Sequence, residues 1–167
     1  MRELGPPAVA PSRKLATLLV SIAVCLGVQA VSGVLTASGV RDWYPTLQKP
    51  GWTPPDWVFF PVWTVLYVLM ALAAWLVWHH ARGPGRRTAL VLFAVQLALN
   101  AAWSGLFFAL RCPGAAFAEI VALWVVIAST VVAFARVSPA AAGLLVPYLL
   151  WVTYATALNG TIWVMNS

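Results

Sequence analysis

Apolar residues in this chain fall into five long blocks, Leu15 to Leu35, Trp57 to Trp78, Thr88 to Leu110, Ala115 to Ala135 and Pro139 to Val164, with polar, charged or Pro/Gly-rich breaks between them. Coiled as helix at about 1.5 Å per residue, each block is long enough to cross a hydrocarbon layer about 30 Å thick. Backbone groups in lipid have no water to bond, so helix is the conformation these blocks require. The pattern predicts an all-α integral membrane protein, a five-transmembrane-helix bundle, with residues 1–14 as a short leading segment and 15–167 as the membrane domain. The breaks read as helix punctuation. Thr53-Pro54-Pro55-Asp56 has the form of a capping box opening the second helix, Gly83-Pro84-Gly85 and Pro113-Gly114 interrupt the chain, and Ser138-Pro139 opens the fifth helix. One break stands apart: Thr36 to Asp56 is predicted as a long loop between helices 1 and 2, and its Trp43, Tyr44 and Trp52 predict an ordered lid rather than a disordered linker.

Composition supports this picture. Of 167 residues, 62% are hydrophobic and 8% charged, against roughly 25% charged in soluble domains. A water-soluble globule of this length is excluded, because it would lack a charged shell. The formal net charge of +6 would suit a nucleic-acid partner if it ran along one polar face. The basic residues instead sit beside the ends of the apolar blocks, so no nucleic acid is expected. Their distribution bears on topology. Arg2, Arg13, Lys14, Arg82, Arg86, Arg87 and Arg136 share one side, and Arg41, Lys49 and Arg111 the other. The positive-inside rule then predicts a cytoplasmic N-terminus, with the C-terminus and the long loop outside a bacterial cell membrane. Cys25 and Cys112 form no CxxC, and the adjacent His79 and His80 point apart on a helix, so no metal is expected.

The candidate chemistry lies in the aromatic residues. Ten tryptophans exceed what anchoring requires. Trp57, Trp78 and Trp163 lie at helix ends, where indole rings favour the headgroup zone. Trp63, Trp103 and Trp151 lie well inside their helices, with Tyr67 and Ala155 one turn beyond Trp63 and Trp151 on the same faces. Such rings wall a cavity or fill the space between helices, and spacing fits both. Pro61 and Pro147 predict kinks in helices two and five near these rings. Asn100, one turn before Trp103, and Asn159 are intramembrane amides that must face protein, as ligand contacts or as helix–helix bonds. Glu119 is the only acid inside an apolar block, and its place near the start of helix four predicts a stabilised interfacial carboxylate. Ala94, Ala98 and Ala102 form a small-residue stripe that permits close helix approach within the bundle or across a dimer.

The run Trp43-Tyr44, Lys49-Pro50-Gly51-Trp52-Thr53-Pro54-Pro55, Val58-Phe59, Val62-Trp63-Thr64 and Leu66-Tyr67 resembles the signature of the translocator protein family, which includes the bacterial tryptophan-rich sensory proteins and the mitochondrial peripheral benzodiazepine receptor. Asn100 through Phe108, and Pro147-Tyr148-Leu149-Leu150-Trp151 with Leu158-Asn159, resemble the third- and fifth-helix motifs of that family. The resemblance implies a bundle, often dimeric, whose cavity is closed by the first loop and binds porphyrins, sterols or benzodiazepine-type ligands. It implies ligand-binding positions at Tyr44, Trp63, Tyr67, Asn100, Trp103, Phe107, Trp151 and Ala155. It also implies catalytic roles for Trp63 and Trp151 if the chain, like bacterial relatives, takes part in light-driven breakdown of protoporphyrin. Two departures matter. Gly160-Thr161 replaces the tyrosine and arginine sterol pattern of animal members, which speaks against cholesterol, and Ala115 stands where the family has a helix-four tryptophan, which predicts a wider edge to the pocket.

The expected function is a membrane receptor or sensor that holds a tetrapyrrole such as protoporphyrin, its carboxylates reaching Arg41 or Lys49. A photo-oxidative porphyrin-degrading enzyme and a porphyrin or sterol transporter are the competing classes. Expected partners are the lipid bilayer, the flat apolar ligand and a second copy in a homodimer, with no cofactor beyond the porphyrin as ligand or substrate.

Overall fold

The computed structural model describes residues 11–80 and 82–167, so most of the predicted leading segment, including Arg2, lies outside the described residues. Five helices are long and apolar enough to cross a membrane: α1 (Pro11–Asp42), α2 (Asp56–His80), α3 (Pro84–Ser104), α4 (Pro113–Ala135) and α5 (Pro139–Met165). The chain is a multi-pass integral membrane protein of the predicted class. α1 and α2 overrun their apolar blocks at both ends, whereas α3 starts before Thr88 but gives way to a π turn before Leu110.

The overrun corrects the long loop. α1 begins before Leu15 and continues past Leu35 to Asp42, leaving Trp43 to Pro55 as the connection, with a 3₁₀ turn at Tyr44–Thr46. Thr36 to Asp42 contains no proline, and Arg41 sits in the last turn, where a cation favours the helix C-terminus. The bare backbone of Gly39 also packs on Phe108, where an added Cβ would lie 2.5 Å from the Phe108 carbonyl oxygen. The expected capping box at Thr53 is corrected too. The Thr53 hydroxyl donates to the Pro50 carbonyl at 2.8 Å, and the first turn of α2 is closed by Val58 N–H on the Pro55 carbonyl at 2.9 Å. Two consecutive prolines hold the chain extended there, too far from the helix for Thr53 to cap it. Ser138 does cap α5, its hydroxyl oxygen accepting from Ala141 N at 3.3 Å.

α1 packs on α2 and α3, α2 on α5, and α4 on both α3 and α5. Around the bundle the order is α1, α2, α5, α4, α3. Among the described side chains of α1 only Cys25 and Gly39 are buried, so it leans on the rest rather than forming its centre. α3 ends in a π-helical turn, Gly105–Ala109, and Arg111, at φ +52°, turns the chain into α4. α2 and α5 run through Pro61 and Pro147 without a break. Trp57, Trp78 and Trp163 remain exposed at helix ends, as predicted for interfacial anchors. Ala94, Ala98 and Ala102 all face outward. That stripe therefore does no packing inside the bundle.

Candidate functional site

A cavity of about 350 Å³ opens inside the bundle, within the size range of small-molecule sites. Its aromatic wall comes from α2, α3 and α5: Trp63 and Tyr67 one turn apart on α2, Trp103 on α3 and Trp151 on α5, with Ala155 one turn further. Tyr44 covers one end from the 3₁₀ turn, and Asn100 lies beside Trp103. Seven of the eight ligand-binding positions implied by sequence thus share one cavity.

Phe107 is the exception. It is 2% exposed and stacks on Trp103 with ring centroids 5.2 Å apart, behind the wall. Phe108 lines the cavity instead. The π turn places one more residue per turn than an α-helix would, so facing positions counted along α3 slip out of register there. Ala115 is exposed on α4, and no residue of α4 lines the cavity. The expected wider edge at that position is therefore absent, because α4 stands outside the ring of helices that face the space.

The opposite wall was not foreseen. α1 contributes Gln29, Ser32, Gly33, Thr36, Ala37 and Val40. The available signal was the set of polar residues Gln29, Ser32 and Thr36, spaced three and four apart within an otherwise apolar block, which places them on one face. Gln29 Nε2 donates to Thr64 Oγ1 at 2.8 Å and Thr36 Oγ1 to the Ser32 carbonyl at 2.7 Å. Ser32 Oγ is buried without a partner.

Buried amides hold the aromatic wall in place. Tyr67 donates its hydroxyl to Asn100 Oδ1 at 2.5 Å, and Asn100 Nδ2 donates to the Tyr148 oxygen at 3.1 Å. Asn100 is therefore both a lining residue and a bond between α2, α3 and α5. Asn159 serves packing: it accepts from Trp103 Nε1 at 3.0 Å. Trp63 contacts Tyr67 and Tyr148, centroids 5.8 and 6.2 Å apart, and Trp151 contacts Phe59 and Tyr154 at 5.9 and 5.7 Å. Each candidate tryptophan thus lines the cavity and also touches a ring outside the lining, Tyr148 for Trp63 and Tyr154 for Trp151.

The connection between α1 and α2 is pinned. Tyr154 donates to the Trp52 carbonyl at 2.9 Å. Asn166 accepts from Gln48 N and donates to the Gln48 carbonyl, both at 2.9 Å. Burial, with Asp56 adding its charge, pushes the Tyr44 phenol up to about 12, so it stays protonated near neutral pH. The two cations expected to meet ligand carboxylates are engaged elsewhere. Lys49 Nζ donates to the Tyr44 carbonyl at 2.9 Å and sits 4.3 Å over the Tyr44 ring. Arg41 is exposed and donates to the Ala37 carbonyl at 3.2 Å. Neither lines the cavity. Glu119 also departs from expectation: both its oxygens are buried without a protein partner, so its carboxyl is not at the surface. The second turn of α4 carries it inward beside the buried Ala116 and Ile120. Among the described residues no group of three or more His, Cys, Asp or Glu could hold a metal ion.

The TspO/MBR family profile matches residues 21–164. The chain is 43% identical to the tryptophan-rich protein TspO of Chlorobaculum tepidum over 160 residues, covering 93% of this chain and 99% of that one. It is 42% identical to the tryptophan-rich sensory protein of Cereibacter sphaeroides (86% and 87% covered) and 41% identical to the translocator protein of Ovis aries (90% and 87% covered).

Proposed function

Because this chain belongs to the TspO/MBR family, we propose that it is a membrane receptor that holds a tetrapyrrole such as protoporphyrin in the cavity between α1, α2, α3 and α5. The observation that carries this reading is the convergence of Trp63, Tyr67, Trp103 and Trp151 on one space of about 350 Å³. Flat aromatic side chains gain most by stacking on a flat ring system, and burial removes both surfaces from water or headgroups. The macrocycle enters the aromatic space while its propionates point out of the mouth, since no basic side chain lines the interior. The pinned connection from Trp43 to Pro55, with Tyr44 turned to the cavity, acts as the lid over its end.

A second reading has its own support. Trp63 and Trp151 touch the cavity and also touch further oxidisable rings, Tyr148 and Tyr154, so an oxidised indole has neighbours to share the hole. That arrangement suits light-driven porphyrin breakdown. Two features complete the proposal. The outward Ala94, Ala98 and Ala102 stripe is the face by which two copies pair, and the basic residues orient the chain with its N-terminus in the cytoplasm.

The test is to titrate the purified protein with protoporphyrin in darkness and then illuminate it. Dark quenching of tryptophan fluorescence with no later spectral change indicates a receptor. Light-dependent loss of porphyrin absorption with a new product band indicates an enzyme. Absence of quenching overturns both.

A further inference from the structure

Three tryptophans line the cavity, and the rings behind them differ. Among the described residues Trp103 touches only phenyl rings, those of Phe107 and Phe108, with centroids 5.2 and 5.8 Å away. A phenyl ring is much harder to oxidise than an indole or a phenol, so an oxidised Trp103 has no neighbour that can re-reduce it. Trp63 touches Tyr67 and Tyr148, which are both buried. Among the described residues no further aromatic contact leads on from either. Trp151 stands at the head of a longer series. It touches Tyr154, one turn on, at 5.7 Å, and Tyr154 touches Trp52 at 5.5 Å, both within the range of packed aromatic pairs. Trp52 belongs to the connection between α1 and α2 and is 48% exposed. The Tyr154 hydroxyl, donating to the Trp52 carbonyl at 2.9 Å, ties the last two members together. An unbroken series of oxidisable rings thus runs from the cavity wall to the surface.

We infer that Trp151, Tyr154 and Trp52 form an electron relay, by which a water-soluble one-electron reductant acting at Trp52 restores the cavity wall after oxidation. This rests on the light-driven reading above and gives its two tryptophans different parts: Trp151 is renewable and Trp63 is not. The light-excited macrocycle takes one electron from the Trp151 indole and is itself reduced by one. Tyr154 passes an electron to Trp151 and releases its phenol proton along the hydrogen bond toward the surface. Trp52 passes an electron to Tyr154, which takes a proton back, and the reductant passes one to Trp52. No bond between heavy atoms forms or breaks, and the net change is one electron moved from reductant to macrocycle. The relay is needed because a hydrophilic reductant would lose its hydration on entering an apolar cavity. At Trp52 it reacts while still in water.

The experiment illuminates the full chain with bound protoporphyrin in air, with and without ferrocyanide, a hydrophilic one-electron reductant. Oxygen-added tryptophan is then counted at each position by peptide mass spectrometry, per bound porphyrin. In the unmodified protein ferrocyanide should slow oxidation of Trp151 by at least about fivefold, while Trp63 is protected by less than about twofold. Tyr154→Phe and Trp52→Phe should each abolish the protection of Trp151. Trp52→Phe keeps the backbone carbonyl that Tyr154 bonds, so a loss common to both variants reports the relay and not the hydrogen bond. No protection of Trp151 in the unmodified protein, or equal protection in the variants, overturns the inference. If light oxidises neither Trp63 nor Trp151, the light-driven reading is what fails. The relay is then decided by pulse radiolysis with azide radicals, which oxidise exposed indoles without any porphyrin. First-order conversion of indolyl into phenoxyl absorption, largely lost in Tyr154→Phe, supports it, and a phenoxyl yield that this variant leaves unchanged overturns it.

Discussion

Trp103 and Asn159 are joined by a hydrogen bond across the bundle: the indole N–H donates to Asn159 Oδ1 at 3.0 Å, while the same amide's Nδ2 donates to the Pro113 carbonyl at 2.9 Å. One side chain of α5 thus fixes a cavity tryptophan of α3 and the first turn of α4. Two polar partners would be orphaned by its removal.

Asn159→Leu should therefore destabilise the protein by about 1–2 kcal/mol, more than the roughly 0.6 kcal/mol typical of a single interhelical bond in a membrane protein. Unfolding in mixed micelles measures it. A loss under about 0.3 kcal/mol would show that the junction contributes nothing.

A Trp63→Phe, Trp151→Phe double variant separates binding from chemistry. Phenylalanine still stacks, so protoporphyrin affinity should stay within about tenfold, a loss of at most about 1.4 kcal/mol. Light-driven degradation should nearly stop, because a benzene ring is far harder to oxidise than indole. Trp103→Phe is the comparison: it should keep the photochemical rate per bound ligand while losing about 1 kcal/mol of stability through the bond to Asn159. Degradation at an undiminished rate in the double variant would remove these two residues from the chemistry.

Gly39→Ala should be costly for a helix position. The new Cβ would stand 2.5 Å from the Phe108 carbonyl oxygen and 2.8 Å from its Cβ, and a backbone carbonyl cannot swing aside as a side-chain tip can. A loss of about 1–3 kcal/mol is expected, with weaker ligand binding as α1 is pushed off the π turn. A melting temperature equal to that of the parent would contradict this contact.

Asn166 is the latch of the lid. Asn166→Ala deletes both bonds to Gln48, so amide hydrogen exchange at Gln48 and along the Trp43–Pro55 connection should accelerate by about tenfold, equivalent to about 1.4 kcal/mol of local stability. Asn166→Asp keeps the acceptor and loses the donor, and should fall between the two. Equal exchange in all three proteins would mean that the connection is held without this residue.

Arg111 occupies the left-handed region at φ +52°, where a side chain is strained and glycine is not. Arg111→Gly should raise stability by about 0.5–1 kcal/mol in a thermal unfolding assay, with ligand affinity unchanged because Arg111 does not line the cavity. A decrease would indicate that the arginine side chain makes a stabilising interaction at the membrane surface.

Hydropathy by itself determined the membrane class, the number of spans and the approximate place of each, because lipid leaves a backbone of this length no alternative to helix. The order of aromatic and proline residues likewise identified the family and brought forward Trp63, Tyr67, Asn100, Trp103 and Trp151, each of which does reach the cavity. The ends of α1 were not legible: hydropathy reports where lipid stops, whereas Thr36 to Asp42 stay helical through backbone bonds and the fit of Gly39 on Phe108. Facing was lost at the π turn, where the family resemblance pointed to Phe107 and the structure turns Phe108 inward. Only the tertiary structure decided which long-range partners meet: that Asn159 holds Trp103, that Asn166 grips Gln48, and that among the described residues Asp56 is the sole charge on the cavity wall while Lys49 and Arg41 turn away. These depend on how five helices are rotated about their axes, and rotation is set by packing between distant residues, which no local pattern in the chain encodes.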